Sequence, residues 1–190
     1  MDSFLANFKR NLETNNIYIL ENWLQERYEL YIKTENDPKT IEKNIQNDIK
    51  STDIEEYIDK QKVDSIQDKI SFDVKQSLIK RKVFCQIQAF ANIGDATHKQ
   101  HGNLDEIEKI DNKYLRTDEE EQIKNYEKER FVYKLQLTNG KETFYGFEFE
   151  KITSLNNMEL NKFQKVIIGD NIEVRRGVLY LKPSNFSIYK

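Results

Sequence analysis

The sequence predicts an α+β fold in which a helical N-terminal region precedes a small β-barrel. Three observations carry this reading. Apolar residues recur every three or four positions through the first third of the chain, no glycine occurs before Gly94, and from about Val83 the apolar period switches to two.

Phe4, Leu5, Phe8 and Leu12 share one helical face, and Leu20, Trp23, Leu24, Tyr28 and Tyr31 share the next. Asp37-Pro38 reads as the start of a third helix, because Asp accepts bonds from the free amides of the first turn and Pro has no amide to leave unpaired. Ile41, Ile45 and Ile49 supply its apolar stripe. A capping box from Thr52 to Glu55 predicts one further start, with Ile54, Tyr57 and Ile58 as its apolar face.

Alternation over Val83 to Ala91 predicts a long first strand. It resumes at Phe131, Tyr133, Leu135 and Leu137, where Asn139-Gly140 suits a tight hairpin. The third strand runs through Tyr145, Phe147 and Phe149, with Gly146 placed for a bulge or sharp bend. A polar link over residues 154–162 leads to Val166 to Val174, and Val178 to Leu181 and then Phe186 to Ile188 complete the pattern. Five strands, glycines at the bends and a link between the third and fourth fit an OB-fold; an SH3-like barrel satisfies much of the same pattern. Residues 94–129 form an insertion after the first strand, rich in charged and amide side chains, and compact domains rarely keep so long a connection without a use for it.

Composition narrows the function classes. The single cysteine, Cys85, has no partner for a disulfide, and no run approaches the roughly 20 apolar residues that cross a bilayer, so a reducing interior without a membrane anchor is expected. His98 and His101 have no third metal ligand at a suitable spacing, and there is no phosphate-binding glycine loop, HExxH or CxxC, so neither cofactor nor catalysis is expected. The net charge of −3 argues against strong nucleic-acid binding by the lone chain. That charge is uneven: residues 94–129 hold eleven acidic against six basic side chains, and residues 131–190 hold six against nine.

The run Lys165-Val-Ile-Ile-Gly-Asp-Asn-Ile-Glu-Val-Arg-Arg-Gly-Val-Leu-Tyr-Leu-Lys-Pro-Ser-Asn185, with Leu135-Gln-Leu-Thr-Asn-Gly140 and Gly146-Phe-Glu-Phe149, resembles the RecQ-mediated genome instability family, the Rmi subunits that accompany RecQ helicases and topoisomerase III. The resemblance is tight from Phe131 onward and looser before it, where Trp23 and the Val83 strand are the clearest anchors. It implies a three-helix domain over residues 1–80 packed on a five-stranded OB-fold over residues 81–190, in a nuclear, non-catalytic subunit of the short fungal type. The implied partners are the type IA topoisomerase III and a RecQ-family helicase, with DNA bound weakly or through the complex. By the same resemblance the topoisomerase-binding cations are Lys165, Lys182 and Arg175, Lys165 standing beside an exposed barrel surface. The resemblance also implies that the insertion reaches into the topoisomerase gate, with Ile107, Ile110, Tyr114, Leu115 and Arg116 as the expected contacts.

An autonomous single-strand-binding module is the alternative. The aromatics of the third strand decide between them, since Tyr145, Phe147 and Phe149 either stack on bases or fill the barrel. Glu142, Glu148 and Glu150 would repel a phosphate chain, which favours filling.

Overall fold

The computed structural model describes residues 3–35, 37–94, 132–156 and 163–189. Helices α1 (Ser3–Glu13), α2 (Glu21–Tyr31) and α3 (Pro38–Ser51) form where the apolar stripes place them. Leu5, Phe8 and Leu12 of α1 meet Trp23 and Leu24 of α2 and Ile41, Ile45 and Ile49 of α3 in one buried cluster. Asp37 caps α3 as expected, its carboxylate accepting from the amides of Lys39 at 3.4 Å and Thr40 at 3.2 Å.

The next start differs by one residue from the expected capping box. Thr52 closes α3, and Asp53 caps the single-turn α4 (Ile54–Tyr57) by accepting from the Glu55 amide at 3.1 Å. A carboxylate one position along takes the role expected of the Thr52 hydroxyl.

Eight strands form one curled, mixed sheet: β1 (Ser77–Ile79), β2 (Val83–Asn92), β3 (Tyr133–Thr138), β4 (Thr143–Glu148), β5 (Lys165–Ile168), β6 (Ile172–Arg175), β7 (Val178–Leu181) and β8 (Phe186–Ile188). Their order is β1-β6-β7-β4-β3-β2-β5-β8, with β4 and β7 parallel and the other pairs antiparallel. A short helix, α5 (Thr153–Asn156), follows β4. The stretch expected as one fourth strand is two, β5 and β6, because the chain turns at Gly169 to Asn171, and Asn171 takes a φ of 61°. Strand β1, only three residues long, carries too few positions for a period to register.

Both faces of the first half of β2 are buried. Val83, Cys85 and Ile87 enter the sheet's own core with Leu135, Leu137, Phe144, Val166, Ile168, Leu179 and Leu181, whereas Phe84 enters the helical cluster. The bulge expected at Gly146 lies instead in β2, between Ile87 and Ala89, and β4 keeps an unbroken register opposite β3. Gly146 serves close packing: a Cβ there would stand 2.8 Å from Leu181 Cδ1.

The β3–β4 hairpin also ties the sheet to the helices. Gly140 at its turn has a φ of +85°, and a Cβ on it would lie 2.3 Å from Ile58 Cγ2. Gly140→Ala therefore meets both a strained backbone and a steric overlap, and should lower the unfolding free energy by about 1–3 kcal/mol in a denaturant titration. An unchanged midpoint would show that the hairpin does not bear on Ile58.

Candidate functional site

Lys165 stands where β5 begins, directly across from Gln86 of β2. The residues flanking this pair along the two strands, Phe84 and Ile167, also face the helices, so the helical cluster covers this wall of the sheet. Lys165 is consequently 1% exposed, and the expectation of a cation beside an open barrel surface is corrected. Its ammonium donates to the Thr52 carbonyl at 2.6 Å, to Gln86 Oε1 at 2.8 Å and to the Phe163 carbonyl at 2.8 Å. Gln86 Oε1 also accepts from the Ile54 amide at 2.9 Å, and its Nε2 donates to Asp53 Oδ1 at 3.3 Å. One buried pair thus satisfies the last turn of α3 and the first amides of α4, a joint that sequence inspection missed because a glutamine within an alternating strand reads as solvent-facing. Burial pulls the Lys165 pKa down from 10.5 to about 8, against the pull of Asp53 and Glu56. Cys85 is wholly buried and its thiol is pushed up by desolvation, the opposite of what a nucleophilic thiolate requires.

Among the described residues no element covers the opposite wall. Paired residues project to the same side of a sheet, so β3, β4 and β7 carry two outward rows. One row is Lys134, Phe147 and Tyr180; the other is Gln136, Tyr145 and Val178, extended by Arg175 of β6. The barrel interior takes Phe144 and Gly146 from β4, together with the buried carboxylate of Glu148. The expectation that Tyr145, Phe147 and Phe149 fill the barrel is therefore overturned: Tyr145 is 44% and Phe149 49% exposed, whereas Phe144 is 2% exposed.

On this wall the Phe147 and Tyr180 rings meet edge to face at 4.6 Å, with Phe149 5.0 Å from Tyr180. Arg175 and Lys182, two of the expected partner-binding cations, stand at its margin, 5.1 Å over Tyr180 and 5.0 Å over Phe149. Each also has an acidic neighbour, Glu173 at 2.7 Å and Glu150 at 3.0 Å. Lys134 lies 5.0 Å over Tyr145. Lys165 is remote from this wall in role as well as in place, since β2 and β3 separate β5 from β4. The gate-facing set Ile107, Ile110, Tyr114, Leu115 and Arg116 lies outside the described residues.

The family model for the N-terminal OB-fold domain of RMI1 matches residues 42–189. The chain belongs to the RMI1 family. No curated protein matches it. Membership makes the curled sheet an OB-fold domain and associates the chain with genome maintenance and the RecQ–topoisomerase III complex. The RMI1 match begins within α3 and runs through β8, so it spans both sides of the Lys165–Gln86 joint and the whole bare wall. Among the described residues no helix is long and apolar enough to cross a membrane, and no cluster of three His, Cys, Asp or Glu side chains could hold a metal ion.

Lys165→Met should cost about 1–3 kcal/mol at neutral pH by leaving buried carbonyls without a donor. The folded state holds the Lys165 proton less tightly than the unfolded chain does, so between about pH 8 and pH 10 unfolding takes up a proton and stability rises with pH. The gap between wild type and Lys165→Met, followed by urea titration, should widen over that window. A gap that stays constant would mean that Lys165 titrates as a solvated amine.

Proposed function

We propose that this RMI1-family chain is a non-catalytic subunit that docks on topoisomerase III and modulates strand passage, promoting decatenation and the dissolution of recombination intermediates with a RecQ helicase in the nucleus. The family match over residues 42–189 is the observation that carries this reading. We further propose that residues 1–80 act as a helical support for the OB-fold of residues 81–190; the helical cluster around α1 to α4 is in keeping with that, while Ile66 and strand β1 near the end of this region pack with the barrel.

The insertion over residues 94–129 is proposed as the element that reaches the topoisomerase gate, with Ile107, Ile110, Tyr114, Leu115 and Arg116 as its contacts. Its root supports that reading. The Ile93 amide donates to the Val132 carbonyl at 2.7 Å, and Asn92 Oδ1 accepts from the amides of Gly94 at 3.0 Å and Val132 at 3.1 Å. Both ends of the insertion are therefore held together by the barrel itself. Phe90 and Ile93, each about half exposed, stand at this root and offer apolar surface to a partner. A gate lined with cations for DNA would attract a segment carrying eleven acids against six bases, and any bias on gate opening must come from unequal binding to the two gate states.

Because the root is clamped, shortening the insertion alters closure entropy by only about 0.6 kcal/mol per halving of length. A chain in which a short Gly-Ser link replaces residues 95–130 should fold, still co-purify with topoisomerase III, and lose stimulation of decatenation. Full stimulation by the shortened chain would reduce the insertion to a solvated linker and end this account of it.

A further inference from the structure

The sheet ends in two edge strands, β1 and β8, and their surroundings differ. Strand β8 runs into Tyr189, whose ring packs edge to face on Phe84 of the helical cluster at 5.3 Å. Strand β1 is paired with β6 alone, and among the described residues no other backbone group takes up its outer edge. Such an edge presents amides and carbonyls at the spacing that a further strand needs.

This edge is held in place before any partner arrives. Ile79 is buried in the barrel core, and Ser77 Oγ donates to the Lys69 carbonyl at 2.6 Å. Just ahead of the strand, Gln76 Nε2 donates to Glu173 Oε1 at 3.0 Å. The preceding loop rests on the β6–β7 turn, where a Cβ on Gly177 would stand 2.7 Å from the Ile70 carbonyl oxygen and the Arg176 guanidinium lies 5.8 Å over the Phe72 ring. The ordering cost of binding therefore falls mainly on the partner. Leu78 projects outward from the middle of the strand, and Phe72, 69% exposed, is the most exposed of the large apolar side chains described.

Charge selects the occupant. Residues 72–82 carry Lys75, Lys80, Arg81 and Lys82 against the single acid Asp73. Asp64 engages Arg81 at 2.6 Å, whereas among the described residues no ion pair engages the other three. A second copy of the edge fits poorly, because antiparallel pairing centred on Leu78 would set Lys75 against Arg81 at both ends, and like charges directly opposite destabilise a strand pair. An acidic strand meets attraction at the same positions.

We infer that the free edge of β1 is a docking site for an extended acidic segment of a partner protein, which adds antiparallel to Ser77–Ile79 as a further strand of the sheet. Backbone bonds supply the attraction and side chains the choice of sequence. Side chains paired across a sheet project to the same face, so the partner residue opposite Leu78 is apolar, the one opposite Lys80 is acidic, and the acid stands two places before the apolar residue. The edge lies ahead of β2, whereas the insertion leaves from the far end of β2, so this docking does not depend on the topoisomerase reading.

The test follows the amide resonances of the isotope-labelled full chain during titration with a blocked peptide of about eight residues, glutamate alternating with valine, and with its lysine-for-glutamate counterpart. The acidic peptide should shift the amides of residues 77–80 and slow their hydrogen exchange, with a dissociation constant below about 1 mM, and the basic peptide should not. Two further acidic peptides, N-methylated on every glutamate or on every valine, separate strand pairing from plain charge attraction. One of them blocks the edge facing β1 and the other the edge facing away, so one should bind like the parent and the other at least about tenfold more weakly. Lys75→Glu combined with Lys80→Glu should weaken the parent peptide at least about fivefold, with circular dichroism unchanged. Should that variant not fold, the methylated pair decides the matter on the natural chain. The docking site is ruled out if no amide of β1 responds, if both methylated peptides bind alike, or if the basic peptide binds as well as the acidic one. A dimer in sedimentation velocity with β1 amides protected in the absence of peptide would make a second copy the occupant, and overturns it too.

Discussion

Every larger feature of this chain depends on one buried contact, the ammonium of Lys165 against the side-chain amide of Gln86. Taking an ammonium out of water costs several kcal/mol, and only three well-placed oxygens, those of Thr52, Phe163 and Gln86, offset that cost. Such a contact tolerates little displacement. It fixes how the end of α3 and the start of α4 sit on β2 and β5, because the amide that receives Lys165 also receives the Ile54 amide and reaches Asp53. Hydrophobic packing of Phe84 and Ile167 alone would hold the two clusters together without selecting one orientation.

Orientation in turn decides which barrel wall is free. With β2 and β5 beneath the helices, β4 and β7 are left as the outward strands, and among the described residues no element covers their aromatic side chains. The insertion leaves from the far end of β2, past the bulge between Ile87 and Ala89, where the strand no longer lies under the helices and its residues become exposed. A covered wall, an open wall and a clamped loop root follow from a single placement of the helices.

The periodic elements were legible because one face of each is buried and the other solvated, as with Ile41, Ile45 and Ile49 behind the Asp37 cap. Legibility failed where that asymmetry vanishes. Residues 144–149 place aromatics on both sides of β4, Phe144 inside and Tyr145 and Phe147 outside, so hydropathy gives no period and the face is read wrongly. Glu148 compounds the error, since a carboxylate reads as solvent-facing although here it caps two amides inside the barrel. For Lys165 the charge predicts exposure, and only the fold supplies the three carbonyl-type oxygens that permit burial. The one-residue slip from Thr52 to Asp53 has the same origin: both are good caps, and the choice rests on Gln86, which is 33 residues away from Asp53 in sequence.

Charge along the chain completes the division of labour. A net value near zero hides an acidic insertion and a slightly cationic body, and fields act locally because ions screen them beyond about 8–10 Å. Beside DNA the two parts would respond differently: phosphates repel the acidic insertion, whereas the body, with 24 basic against 22 acidic side chains, meets no such repulsion. On the proposed reading the insertion therefore enters a partner's cation-lined gate only where DNA leaves its cations unpaired. Competition with DNA for those cations would favour one gate state over the other, which is the kind of bias the proposed adaptor role requires.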